Sequence, residues 1–275
     1  MYYLNTKAQS QLYQKIVDSQ MIEKISKVIG TDSSYLCITR PRRFGKTINA
    51  NMLGAYFTKG YDSHPVFDKL AIAGTEGYGE HMNRYNVIHI DFSMFPDYCG
   101  GDQDYIRNIV ETLKEDLKEH YPELGNREYR SISKMLQDTG ETFLFILDEW
   151  DSIFYEKFMS DGDKSSFLKF LKGILKDKPY VSLAYMTGIL PIAKYSSGSE
   201  LNMFDEYDFM NDNVYDGYFG FQEDEVQKLC RNSRAVSFED MKRWYDGYST
   251  SDGKSLFNPR SVSKALVRGI CLNYW

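Results

Sequence analysis

Apolar residues recur at helical spacing over residues 12–29 (LYQKIVDSQMIEKISKVI), which predicts one or two helices, stopped by Gly30 and the polar run TDSS. The pattern then changes. YLCIT (35–39) is a short apolar run of strand type, RPRRF is a loop, and GKTINANMLGAYFT (45–58) reads as a helix. NVIHIDFS (86–93) predicts a second strand, ended by the Pro96 region and Gly100-Gly101. Over 104–121, Ile106, Ile109, Val110, Leu113 and Leu117 share one face of an amphipathic helix, and SISKMLQDTG predicts a second, short one. TFLFILDEWD (142–151) opens with an uninterrupted apolar run, as expected of a central parallel strand buried on both faces. An amphipathic helix in SSFLKFLKGILKD leads to a fourth strand, YVSLAYMTG (180–188), and a short fifth strand is placed near YFGF (218–221). Strands alternating with helices predict an α/β fold with a parallel sheet covered on both faces.

From about residue 222 the pattern turns to short helices: EDEVQKLCRN, SFEDMKRWYDG and NPRSVSKALVRGI. Asn258 followed by Pro259 is a good helix start, a capping side chain and then a first-turn proline. Between the last two helices, TSDGKSLF predicts a hairpin around Asp252-Gly253. The expected division is a core over 1–221 and a small helical lid over 222–275, truncated at its end. There is no internal repeat.

Composition narrows the class without choosing a function. The 275 residues carry a net charge of −6, which argues against a broad nucleic-acid face. No stretch approaches the roughly 20 apolar residues of a membrane span, and MYYLNTKAQSQ lacks the basic start and apolar run of a signal peptide. Four scattered cysteines (Cys37, Cys99, Cys230, Cys271) and four unclustered histidines give a metal site no support. A cytoplasmic protein is expected.

The chemistry sits where strands end. Gly45, Lys46 and Thr47 supply the last fixed positions of G-x-x-x-x-G-K-[ST], between an apolar strand and a helix. Backbone N–H groups at a helix amino end attract phosphate oxygens. Lys46 would reach the β- and γ-phosphates, and the Thr47 hydroxyl would join a magnesium shell. Arg40 stands where the first glycine belongs, so the loop must turn differently at its mouth, and Pro41 restricts Arg40 to extended conformations. Arg42 and Arg43 would bring charge to the phosphates, one of them as a built-in arginine finger, or would instead pair with a carboxylate such as Asp18 or Asp151. Phe44 and Ile48 complete the expected nucleotide-binding run. The apolar strand ending in Asp148-Glu149 supplies a second signal: Asp148 to orient magnesium and Glu149 to polarise the attacking water, although Asp148 alone could merely cap a helix. Thr187, at the end of the fourth strand, is the third: a polar group near the γ-phosphate, or an ordinary strand-end threonine.

These stretches together resemble the predicted AAA-ATPase-like family of bacteria and some microbial eukaryotes. The matching segments are IVDSQMI (16–22), TRPRRFGKT (39–47), VIHIDFS (87–93), LFILDEWDSI (144–153), TGILPIAKYSSGSELN (187–202), FGFQEDEV (219–226), WYDGYS (244–249) and LFNP (256–259), in family order over nearly the whole chain. The arginine-rich loop is the most specific of them. Trp150 departs from the family's usual tyrosine, and Arg260 from its usual aromatic. The resemblance implies a three-layer α/β/α P-loop NTPase of the AAA-like or STAND-like branch with strand order 5-1-4-3-2. It implies ATP or ADP with Mg2+ as ligands, and Glu149, Lys46, Thr187 and Arg43 as catalytic residues. The expected activity is slow ATP hydrolysis used as a switch or motor; the alternative is a nucleotide-sensing scaffold acting through partners. A homo-oligomer or protein partner is expected. Family members often continue into a nuclease-like domain of the PD-(D/E)XK class. This chain stops at Trp275, so no nuclease residue is assigned, and nucleic acid would be met only through such a domain.

Overall fold

The computed structural model describes residues 6–96, 99–125, 127–195, 200–209 and 212–274. Ser196, Ser197, Gly198 and Ser199 of the TGILPIAKYSSGSELN stretch, and Trp275, lie outside them. Two helices, α1 (Lys7–Ile16) and α2 (Met21–Ser26), precede β1 (Tyr35–Thr39) and α3 (Lys46–Phe57). A short α4 (His64–Phe67) leads to β2 (Asn86–Asp91), α5 (Asp102–His120), α6 (Ile132–Asp138), β3 (Phe143–Asp148), α7 (Asp161–Leu175) and β4 (Val181–Gly188).

β3 explains the layering. All six of its residues are buried. Side chains alternate across a strand, so Phe143, Phe145 and Leu147 join the core formed with α5, α6 and α7. Leu144 and Ile146 join a second core on the other face, with α1, α2 and α3. A strand flanked by helical layers has no water-facing side, hence its unbroken apolar run. The α/β class is therefore as expected.

The sheet is parallel, in the order β2-β3-β4-β1-β5, which read from the other edge is the expected 5-1-4-3-2. What differs is the strand in fifth place. It is β5 (Asp205–Tyr207), paired with Leu36–Ile38 of β1, not YFGF. Asp205 and Glu206 are exposed on a three-residue edge strand, so no apolar run marks it. The phenylalanines of YFGF do other work. Phe219 packs into the second core, and Phe221 opens β6 (Phe221–Gln222).

The remaining chain holds more strand than the short helices and one hairpin expected from sequence. With α8 (Glu223–Ser233), α9 (Phe238–Tyr245) and α10 (Pro259–Arg268) comes an antiparallel sheet, β6-β8-β7, from β7 (Asp246–Ser249) and β8 (Ser255–Phe257). The hairpin around Asp252-Gly253 is present, joining β7 to β8. Strands this short leave no periodicity to read. This part has a third small core, with Val226, Met241, Phe257 and Val262, against which Ile16 of α1 packs. Asn258 caps α10 by accepting from the Ser261 N–H at 3.2 Å, as its position before Pro259 predicted. Among the described residues, no helix is long and apolar enough to cross a membrane.

Candidate functional site

The carboxyl ends of β1, β3 and β4 meet at the amino end of α3. Gly45 enters α3 at φ 88°, in the left-handed region where a side chain is costly, so the final glycine of the motif is required by backbone shape. Lys46 follows as the first helical residue and is buried. Its ammonium lies 3.4 Å from the Pro41 carbonyl and 3.5 Å from Glu149 Oε1. The segment between α1 and α2 backs the loop, with Val17 beside Gly45.

Arg40, in place of the first glycine, does not face this opening. Its guanidinium is buried, donates to the carbonyls of Thr39 (2.8 Å) and Tyr207 (2.9 Å), and pairs with Asp212. The rings of Phe209 and Phe219 flank it at 5.1 and 4.9 Å. Asp212 Oδ1 in turn accepts the N–H groups of Val214 and Tyr215. The mouth of the loop is thus pinned to the segment after β5.

At the end of β3, Asp148 is fully buried. Its Oδ1 accepts the Glu149 N–H at 3.1 Å; Oδ2 makes no hydrogen bond of good geometry, although the Thr47 hydroxyl is near enough to act on the carboxyl. Burial pushes its carboxyl up to about 7, helped by the charges of Glu149 and Asp91 and opposed by the Thr47 hydroxyl and Lys46. Glu149 has φ 50°, uncommon for a residue with a side chain. Thr187, one strand over, is buried with an unpartnered hydroxyl. Trp150 donates its backbone N–H to the Thr187 carbonyl at 3.0 Å, and Asp151 accepts the N–H groups of Ile189 and Leu190. Gly188 fits only as glycine: a Cβ there would lie 2.6 Å from the Trp150 ring and 2.7 Å from Asp151.

Buried polar atoms without partners are rare because each loses its water for nothing. Among the described residues Arg40 Nε, Asn49 Oδ1, Trp150 Nε1 and Tyr185 Oη are also unpartnered, but Asp148 Oδ2 and Thr187 Oγ1 are oxygens at adjacent strand ends, with Thr47 near Asp148. That fits a hydrated magnesium ion, which takes one or two protein oxygens and otherwise keeps waters and phosphate. Among the described residues, no group of three or more His, Cys, Asp or Glu could hold a metal by itself.

Asp148 also gives a stability prediction. Its folded pKa lies above the ordinary carboxylate value, so between about pH 4 and 7 the folded state holds a proton that the unfolded state has lost. Stability must then fall as pH rises through that window. Asp148→Asn removes the penalty. Thermal unfolding of the free protein at pH 8 is expected to show the variant more stable by about 2–4 kcal/mol, with the gap closing by pH 4. A variant no more stable at pH 8 would show that the carboxylate is not penalised there.

A cavity of about 450 Å³ opens over these groups. One wall is apolar and comes from Leu12 and Ile16 of α1; the other comes from α10, with Pro259, Ser263 and Val267. Among the described residues lining it, Lys46, Arg43, Arg260 and Lys264 set four cations against the one carboxylate of Glu149. Such a balance suits a polyanion with an apolar end.

Of the residues named from sequence, Arg43, Gly45, Lys46, Thr47, Ile48 and Glu149 line this cavity. Asp148 and Thr187 are buried behind it. Phe44 turns its ring away, against Tyr248 (4.7 Å) and Phe209 (5.4 Å), so only its backbone belongs to the loop's concave side. Arg42 is exposed and is not a wall residue; its carbonyl accepts from the Asn258 side chain at 3.4 Å. Arg43 donates to the Tyr274 carbonyl at 2.5 Å. Neither Asp18 nor Asp151 pairs with these arginines: Asp18 caps the Gln20 N–H, and Asp151 holds the turn after β4. Sequence reasoning missed the apolar wall from α1 and α10, and Asp212. A signal for the wall from α10 was Val267, an apolar residue set off the buried face formed by Val262 and Ala265.

A family model described as Predicted AAA-ATPase matches residues 13–197. No curated protein matches the chain. Among solved structures it is similar to the ORC2 protein of Aeropyrum pernix in its ADPNP-ADP complexes, at 10% identity and a TM-score of 0.34, covering 83% of this chain and 52% of that one. The chain thus spans about half the length of that protein.

Proposed function

The chain belongs to the predicted AAA-ATPase family, and from that premise we propose that it binds ATP in the cavity between α1, the GKT loop and α10 and hydrolyses it slowly with Mg2+. The observation that carries this is the buried Lys46 at the amino end of α3, facing Glu149 at 3.5 Å with the unpartnered oxygens of Asp148 and Thr187 beside them.

In this reading the N–H groups of Gly45, Lys46 and Thr47 and the Lys46 ammonium hold the β- and γ-phosphates. The base lies between Leu12, Ile16 and Val267. Thr47 and Asp148 would hold magnesium, which when bound would supply positive charge against the phosphate oxygens. Glu149 takes a proton from water as general base. Thr187 presents its free hydroxyl to that water or to the γ-phosphate. Arg260 and Lys264 bring α10 to the phosphates, and residues 222–274 act as a lid. The four free cysteines suit a reducing, cytoplasmic setting. Calorimetric titration with ATP, with and without Mg2+, tests the core of this. One saturable site that tightens with Mg2+ is expected; no binding would overturn it.

The Lys46–Glu149 pair also favours a second reading. A base held by an ammonium is a poor base, so the protein could be a nucleotide sensor that hydrolyses little and acts through partner proteins. Copurified ATP rather than ADP would favour the sensor.

A further inference from the structure

Four residues of the RPRRF loop, Arg40, Arg42, Arg43 and Phe44, are tied to the chain after β4. Arg40 holds Tyr207 and Asp212, the Arg42 carbonyl is held by Asn258, and Phe44 packs on Phe209 and Tyr248. Arg43 differs from these in lining the cavity, and among the described residues its guanidinium is held by one hydrogen bond, to the neutral carbonyl of Tyr274.

The segment that carries this carbonyl is a strap over residues 270–274, beyond α10. Tyr245 holds its middle, donating its hydroxyl to the Leu272 carbonyl at 2.8 Å and accepting the Leu272 N–H at 2.9 Å. Cys271 is buried in the third core, and Tyr274 lies under the Arg268 guanidinium at 5.6 Å. At its far end the strap is drawn to the phosphate loop by Arg43.

We propose that Arg43 is a switch between two acceptors: the Tyr274 carbonyl when the cavity holds no nucleotide, and a phosphate oxygen when it does, so that nucleotide binding releases the 270–274 strap. The inference rests on the nucleotide reading of the cavity and adds to it what the site controls. Three observations support it. Tyr274 is not part of the cavity wall, so a guanidinium directed at its carbonyl must turn inward to meet a phosphate. A phosphate oxygen adds a charge–charge attraction that a neutral carbonyl lacks and can take two guanidinium N–H groups at once, so the phosphate wins the exchange. The backbone pivot is fixed. Arg43 sits at φ 70°, clamped by Asn258 on the preceding carbonyl and by the buried Phe44 ring after it, so only its side chain has to move.

Coupling of this kind is reciprocal. If nucleotide loosens the strap, loosening the strap must favour nucleotide. Tyr245→Phe keeps the ring in the third core but removes the hydroxyl that brackets Leu272, and Tyr245 does not line the cavity. It is expected to tighten ATP binding by roughly three- to tenfold, whereas a merely structural tyrosine would leave affinity unchanged or lower it. Hydrogen exchange of the 270–274 segment supplies the direct measurement, with ATP occupancy followed by calorimetry in the same samples. Wild type is expected to lose protection there on binding ATP. Arg43→Ala is expected to show the low protection already without ATP, and no further change with it. If ATP binds and the strap keeps or gains protection, or if Tyr245→Phe fails to tighten binding, the switch is wrong and the nucleotide reading stands. If ATP does not bind the wild type at all, both fall.

Discussion

Lys46→Ala is expected to weaken ATP binding by at least about a hundredfold while lowering the melting temperature by no more than a few degrees. The first part follows from charge. The Lys46 ammonium is buried at the amino end of α3, and charge-assisted contacts to phosphate contribute about 1.5–3 kcal/mol each, so losing two amounts to roughly two to four decades of affinity. The second part follows from what Lys46 touches without ligand: a carbonyl at 3.4 Å and a carboxylate at 3.5 Å, neither a short contact. The Glu149 side chain is 25% exposed and can be solvated once its partner is gone. Calorimetry with ATP and thermal unfolding separate the two effects. Unchanged affinity would remove the phosphate loop from the reading altogether.

Glu149→Gln is expected to abolish turnover and to tighten ATP binding. The amide has the shape of the carboxylate but cannot take a proton, and a positioned general base contributes about 10²–10⁴-fold. Affinity should rise because the Lys46–Glu149 pair must open before Lys46 can meet a phosphate, and glutamine holds an ammonium less firmly. Phosphate release and ATP binding, measured on the same preparation, give opposite signs if both statements hold. Equal turnover in variant and wild type would show that Glu149 is not the base. A wild type with no turnover would favour the sensor, and the tightening would then be the only visible effect.

Much of this was legible from the chain because it is local. The run FLFIL, short, unbroken by polar residues and set among alternating helical patterns, reads as a strand covered on both faces, and a parallel α/β sheet brings its carboxyl end to the side where GKT opens a helix. The places of Asp148, Glu149 and Lys46 follow from those two facts, and that of Thr187 from the apolar run of the fourth strand. What could not be read is what depends on distant partners. Asp205–Tyr207 is a strand because β1 offers it an edge, not because its residues prefer one. The three strands after residue 220 are two to four residues long, too short for alternation to register. Nothing near RPRRF announces that Arg40 turns inward while Arg43 turns outward. That choice is made by Asp212 and Tyr274, at sequence separations of 172 and 231.

The burial of Arg40 has a consequence for how such loops diverge from one another. An arginine at the glycine position is tolerable only if a carboxylate waits in the interior, and that carboxylate is tolerable only if the arginine is there. Restoring glycine alone would strand the Asp212 charge, and replacing Asp212 alone would strand the guanidinium; breaking a buried pair from either side costs about 3–5 kcal/mol. The two positions therefore form a lock that cannot be undone one change at a time. A lineage that has acquired it is held on its own side of a valley, and the arginine-rich loop persists whether or not any of its arginines ever touches a phosphate.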